Sequence, residues 1–315
     1  MKKALVLGAS GGMGYALVHE LVARGIETVA FARTREKLEK LFGHMEQVTI
    51  ISGDVYQVED VKEAGRGVEV IFHTVSVPYH EWEKGHPTIM RNVVEAAAAN
   101  CSKIVLIDNI YAYGRGNGQP ITEEYPKRPH TKKGNIRLQI DHMAKDAHRQ
   151  GIPALIVHFP DFYGPNATNT LLSYTLESMV AGKKAAFVGN QNVKREYIFT
   201  PDGAKATVEL ALREDAYGQN WNIPGYGVIS GREIISIVKE ITGYSRKVGT
   251  IGRGMITLAG LFSRMMWEVR EMMYLTEEPV VLSGAKYEKH IGPLPKTSYE
   301  EGIRQTLSFM KGVRT

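Results

Sequence analysis

The chain holds a single cysteine, Cys101, among 315 residues. One thiol cannot build a disulfide scaffold or a cysteine-rich zinc site, and it suits a reducing cytoplasm. Long apolar runs are missing too, and every stretch falls far short of the roughly 20 residues a membrane span needs. Nothing reads as a signal peptide, because Met1-Lys2-Lys3 leads straight into the short apolar run Ala4–Leu7. Lys and Arg exceed Asp and Glu by only 39 to 34, a formal charge of +5, and no basic block stands out. Such an excess points away from a nucleic-acid tract and fits an anionic small molecule. His and Glu spacing offers no convincing metal site. The expectation is a cytoplasmic, two-lobed protein without a membrane or nucleic-acid partner.

Strand and helix signals alternate through the first half. Ala4–Leu7, Thr28–Ala32, Val48–Ser52, Val68–Thr74, Lys103–Ile107 and Ala154–His158 read as strands. Between them lie helical stretches at Met13–Arg24, Arg35–Leu41, from about Val58, Thr88–Asn100 and Gly134–Gln150. This spacing predicts an α/β fold, a Rossmann-type doubly wound parallel sheet with ligands at the carboxyl ends of its strands. Beyond Phe159 the alternation fails, which predicts a smaller C-terminal substrate lobe. The division is residues 1–163 for the dinucleotide half and 164–315 for the lobe, with 195–213 returning to the first. Ser230–Glu233 and Thr297–Glu300 carry capping-box spacing before two late helices.

Gly8-Ala9-Ser10-Gly11-Gly12-Met13-Gly14 joins the first strand to the first helix. Glycines at 8, 11 and 14 allow a tight turn, close approach to a pyrophosphate, and close helix–sheet packing. The helix start then offers free N–H groups to the anion. Gly8, Ser10, Gly11, Gly12, Met13 and Gly14 are therefore candidate dinucleotide contacts. At the end of the second strand, an acidic residue would select NAD through the ribose 2′-hydroxyl. Ala32 and Arg33 stand there instead, followed by Arg35 and Lys37. A guanidinium suits a 2′-phosphate, so NADP is expected over NAD; the alternative is a solvated basic helix start. Asp54 and Val55 are placed to meet the adenine edge.

Together these residues resemble the extended short-chain dehydrogenase/reductase family, the NAD-dependent epimerase/dehydratase group. Gly53-Asp54-Val55, Ile71–Ser76, Asn92–Ala96, Tyr113-Gly114, Tyr163-Gly164-Pro165, Arg195–Ile198, Asn222–Gly225 and Gly302 follow the family's order and spacing. The resemblance places Thr74 and Val75 beside the cofactor, although the small alanine usual there is Val75. It implies a homodimer that pairs the helices Thr88–Asn100 and Gly134–Gln150. The departures fall on the chemistry. Asn109 replaces the Ser or Thr found five residues before Gly114. The family's Tyr-x-x-x-Lys aligns with Lys133–Arg137, which has neither residue.

Lys133 is the leading substitute for the missing phenol. A neighbouring cation, Arg137, makes a lysine give up its proton more readily, and Asn109 can donate to a developing alkoxide. Otherwise Lys132-Lys133 is a solvent-facing helix start or a grip on cofactor phosphate. His80, His86 and Trp82 lie in the loop after the fourth strand and offer a substrate wall. Tyr163, at the end of the dinucleotide half, and Arg195, in the second lobe, are substrate candidates; Arg195 resembles the arginine that grips the diphosphate in UDP-sugar epimerases, or else forms a structural ion pair. The methionines and apolar residues of Met255–Leu275 form core between the lobes or a greasy lid. The reading is an NAD(P)-dependent oxidoreductase or epimerase-like enzyme acting on a carbonyl or secondary alcohol, a sugar nucleotide included. Its rival is a catalytically silent dinucleotide-binding sensor or scaffold.

Overall fold

The computed structural model describes residues 1–312, the side chain of Met265 excepted. The chain opens with β1 (Lys3–Leu7), α1 (Gly12–Ala23), β2 (Glu27–Ala32), α2 (Arg35–Phe42), β3 (Val48–Ser52), α3 (Val58–Ala64) and β4 (Val70–His73). It continues through α4 (Trp82–Asn100), β5 (Lys103–Asn109), α5 (Lys132–Arg149) and β6 (Ala154–Phe159). The inner strands β1, β4, β5 and β6 are almost wholly buried on both faces, as a parallel sheet covered by helices requires, while β3 at the edge stays partly exposed. Within β1 the pleat splits the side chains. Ala4 and Val6 pack with Leu17 and Leu21 of α1, and Leu5 and Leu7 pack with Ile89 and Val93 of α4 and Ile140 of α5. Each such leucine contributes roughly 1.5–3 kcal/mol of burial.

The second lobe begins with β7 (Asp161–Tyr163), α6 (Leu171–Val180), β8 (Ala186–Val188) and β9 (Lys194–Phe199). Then follow α7 (Thr200–Ala211), β10 (Asn220–Asn222), β11 (Val228–Ser230), α8 (Gly231–Thr242) and β12 (Gly249–Ile251). Last come α9 (Arg253–Gly260), α10 (Arg264–Arg270), α11 (Ala285–His290) and α12 (Tyr299–Met310). The seven-stranded sheet has the order β10-β6-β5-β4-β1-β2-β3, and all its pairings are parallel. Strand order reverses between β1 and β4, so the crevice for a ligand opens at their carboxyl ends.

Several expectations shift in detail. Within 195–213, β9 pairs with β7 and β11 in a separate three-stranded sheet, while α7 packs against α1. The outer strand of the main sheet is β10, three residues too short to show a period. Helix α4 starts at Trp82, six residues before the expected Thr88, and carries Pro87 inside it. Its early start is anchored by Trp82, which is buried and donates from Nε1 to the Val77 carbonyl at 2.8 Å. The Ser230–Glu233 capping box forms, whereas the last helix is capped one residue later than expected, by Ser298 accepting from Glu301 N–H. The Met-rich stretch divides: Met272 and Met273 are buried, while Met255, Leu258, Leu261, Phe262 and Trp267 are exposed on the α9–α10 hairpin. Met266 is half-buried beside Met273 and Ile256, and Met265 has its side chain outside the described residues.

Candidate active site

The glycines of the first turn are fixed by what surrounds them. Gly8 has φ +85°, and a methyl group on it would sit 2.8 Å from Thr74 Oγ1 and 3.2 Å from Val75 Cα. A methyl on Gly12 would lie 2.7 Å from Ala167 Cα, and one on Gly14 would lie 2.2 Å from the Gly8 carbonyl oxygen. Side chains at these positions would push the turn off the sheet or fill the cradle. Gly11 caps α1 with no side chain to satisfy its first N–H groups. Those donors and the positive helix end face the crevice, which suits a pyrophosphate. Ser10 is held from the second lobe, where Asn166 Nδ2 donates to its carbonyl at 3.1 Å. Met13 is buried beneath the turn.

Along the rim, Arg33 is exposed at the end of β2. Asp54 Oδ1 accepts from Tyr56 N–H at 3.0 Å, and its own N–H is taken by Asp60 at 2.8 Å. Val55 is buried, and its carbonyl accepts from Asn92 Nδ2 at 2.9 Å. Thr74 Oγ1 donates to the Leu7 carbonyl at 2.7 Å and ties β4 to β1 at the mouth of the crevice.

At the carboxyl end of β5 the polar groups become dense. Asn109 Oδ1 accepts from Tyr111 N–H at 3.0 Å, so the amide is oriented by the turn that follows it. Lys133 is only 1% exposed; its backbone N–H donates to Glu271 Oε1 at 2.8 Å. Its ammonium pairs with Glu271 at 3.0 Å and with Glu268, and lies 5.2 Å above the Tyr79 ring. Arg137, one turn on, pairs with Asp108 at 3.3 Å, reaches His86 Nε2 at 3.3 Å and stacks 4.4 Å over Trp82. The sequence set the charge of Arg137 against Lys133; in the fold each cation has its own carboxylate partners.

Burial and the Arg137 charge push the His73 imidazole down to about 3, and burial with Arg137 likewise holds His86 well below the usual range. Both are therefore neutral at physiological pH. Burial raises the Asp108 carboxyl against the pull of Arg137. Beyond Asp108 runs a chain that no sequence pattern disclosed. His158 Nδ1 faces the Asn109 carbonyl at 3.1 Å, its Nε2 meets Lys127 Nζ at 2.8 Å, and Lys127 pairs with the buried Asp141. Asp108, Lys127, Asp141 and His158 come from four separate segments, so only the fold assembles them.

The remaining candidates separate. His80 is exposed, with Glu81 3.4 Å away. Trp82 is wedged under Arg137 and packs 4.6 Å from the His86 ring. Tyr163 lies in the second lobe's core with Phe199 and Tyr299, and its hydroxyl is so close to Gly302 that a methyl there would sit 2.5 Å away. Arg195 is buried and paired with Asp161, its guanidinium 5.2 Å from the Tyr197 ring. Sequence reading also missed Tyr79 and Tyr111, whose hydroxyls meet at 3.0 Å. Among the described residues no three His, Cys, Asp or Glu side chains are grouped to hold a metal ion. None of the described helices is long and apolar enough to cross a membrane.

Residues 4–223 match the family described as NAD dependent epimerase/dehydratase family. The chain is 21% identical over 348 residues to the dTDP-glucose 4,6-dehydratase of Neisseria meningitidis serogroup B, covering 98% of this chain and 93% of that protein. It is 26% identical over 255 residues to sterol demethylase protein B of Methylococcus capsulatus, covering 77% of this chain and 75% of that protein. In fold it is similar to the UDP-glucuronic acid 4-epimerase of Bacillus cereus, solved with UDP-glucuronic acid and NAD. That likeness has a TM-score of 0.81 at 18% identity and covers 99% of this chain and 100% of that one.

Proposed function

The chain belongs to the NAD dependent epimerase/dehydratase family, and from that membership we propose an NADP-dependent oxidoreductase acting on a carbonyl or secondary alcohol. The observation that carries the dinucleotide part is the cradle at the switch point. It has room where methyl groups on Gly8, Gly12 and Gly14 would collide, and it ends in an uncapped helix start. The pyrophosphate would lie on residues 8–14, the adenine edge on Asp54 and Val55, and the nicotinamide side near Thr74 and Val75. When bound, the nicotinamide supplies or accepts a hydride.

The chain's own residues divide the remaining work. Arg33, with no acidic residue at Ala32, takes the 2′-phosphate. Asn109, oriented by the Tyr111 N–H, turns its amide to the reacting oxygen. Arg137 and Lys133 hold the corner together through Asp108, Glu268 and Glu271. His80 and Trp82 stand at the substrate edge. Arg195 is the group a sugar nucleotide's diphosphate would seek, with Asp161 competing for the same guanidinium. Tyr163 closes the lobe behind it. The protein works as a homodimer paired through α4 and α5.

Calorimetry tests the cofactor. NADPH should bind more tightly than NADH, and Arg33→Ala should weaken NADPH by roughly tenfold, as loss of one charge-assisted hydrogen bond implies. NADH affinity should hardly change. Equal affinities in the wild type would remove NADP selectivity, and no binding of either would remove the enzyme reading.

A further inference from the structure

The family's proton chemistry needs a phenol, and the helix that should carry it presents Lys133 instead. We propose that Tyr111, hydrogen-bonded to Tyr79, is the phenol that exchanges a proton with the substrate oxygen. This rests on the dinucleotide reading above. Tyr111 lies two residues past Asn109, in the 3-10 turn Ile110–Tyr113 at the carboxyl end of β5. That strand neighbours β4, whose end carries Thr74 and Val75 against Gly8. A dinucleotide lying on the glycine turn extends its reactive end toward this corner.

The pair has hydrogen-bonding capacity left over. Two phenols carry two protons, and their 3.0 Å contact uses one of them. The other O–H is free to face a ligand. Of the other tyrosines nearby, Tyr113 is spent, donating to Asn222 Oδ1 at 2.8 Å, and Tyr163, whose hydroxyl has no hydrogen-bond partner, is buried against Gly302 in the core of the other lobe. Lys133 is clamped by two carboxylates. The groups acting on the pair are Arg137, Asp161, Glu271 and the Lys133 ammonium over the Tyr79 ring, with Arg195 acting on Tyr111. Burial holds both phenols above their ordinary range, so each keeps its proton at neutral pH. Arg137 opposes that shift in both and would steady a transient phenolate.

The step balances. With the two electrons of a hydride delivered to the carbonyl carbon, the Tyr111 O–H bond breaks and a new O–H bond forms on the substrate oxygen. The phenolate left behind takes the Tyr79 proton across the 3.0 Å contact, and water restores Tyr79. Alcohol oxidation runs the same transfers backwards.

Tyr111→Phe and Tyr79→Phe in the full chain test this. NADPH affinity should stay within about twofold of wild type in both. Turnover of NADPH with phenanthrenequinone as the carbonyl probe should fall roughly 10²–10⁴-fold in Tyr111→Phe, and less in Tyr79→Phe. A second readout needs no turnover: carbon-13 NMR of the tyrosine Cζ atoms. Tyr79→Phe should move the Tyr111 resonance. So should NADP⁺, whereas adenosine 2′,5′-bisphosphate, which lacks the nicotinamide, should leave it in place. Full turnover in Tyr111→Phe, or a Tyr111 resonance indifferent to both Tyr79 and NADP⁺, overturns the assignment while leaving dinucleotide binding intact. If the wild type does not turn over the probe, the resonances decide. Failure of the wild type to bind NADPH sinks the dinucleotide reading beneath it.

Discussion

Lys133 and Lys132 are neighbours with opposite surroundings. Lys132 is exposed, with Glu83 2.7 Å away, and Lys133 is buried between Glu268 and Glu271. An exposed pair of that kind contributes little, while removing one partner of a buried pair strands the other charge. The two glutamates are about one-fifth exposed, so the cost of Lys133→Met should be about 1–3 kcal/mol rather than the full burial penalty. Hydrogen exchange should rise across 264–276 in Lys133→Met and stay unchanged in Lys132→Met. Unchanged exchange in both would mean that Lys133 does not hold the hairpin. The glycine turn was legible in the sequence because glycine acts through its own backbone, and the order of residues is the order of the turn. Tyr79 and Tyr111 were not, since 32 residues separate them and neither belongs to a local pattern. Arg137 was legible as a cation near Lys133, but its pairing with Asp108 depends on the register of α5 against β5.

At the scale of elements, long periodic segments were readable and three-residue strands were not. The strand at the start of the chain and the helices flanking it carry continuous apolar runs or a clear stripe. Strands β8, β10, β11 and β12 are set by their neighbours rather than by their own pattern. Helix α4 runs six residues further back than its sequence pattern shows, because Pro87 inside it interrupts the helical signal. Strand β9 offers a test of such tertiary control. Its Glu196 is buried and accepts from the Leu282 N–H at 3.0 Å, tying β9 to the segment before α11. Burial pushes its carboxyl from the ordinary 4.5 up to about 7, against the backbone donors Leu282 and Gly225 and the distant Lys296. Below pH 4.5 both folded and unfolded chains hold this proton. Between 4.5 and 7 the unfolded chain releases it and the folded chain keeps it, so stability falls as pH rises through that window. The loss is on the order of 3 kcal/mol. Glu196→Gln has no proton to lose. Its melting temperature should match wild type near pH 4 and exceed it by several degrees near pH 8; parallel curves would refute the shift.

For the whole molecule, the proposed homodimer has two surfaces to choose between. The α9–α10 hairpin exposes Met255, Leu258, Leu261, Phe262 and Trp267. Helices α4 and α5 pack against each other and turn a broad polar face outward. Lys84, Arg91, Glu95 and Ala98 are exposed on α4, and Asn135, Gln139, His142 and Arg149 on α5. Of the apolar residues of α4 open to an interface by sequence, Ile89, Val93, Ala96 and Ala97 are buried against the sheet and Val94 is half-buried. A dimer through α4 and α5 must therefore be held by polar contacts around the small Ala98, and it should weaken as salt screens them. Light scattering at micromolar concentration should give the mass of a dimer for the wild type. Ala98→Trp places a bulky ring in the middle of that face and should yield monomers with unchanged NADPH affinity. Leu258→Asp with Phe262→Asp should leave the dimer intact. A dimer that survives Ala98→Trp but is lost in the hairpin variant would move the interface to α9 and α10, and would join self-association to the element that Glu268 and Glu271 fasten onto Lys133.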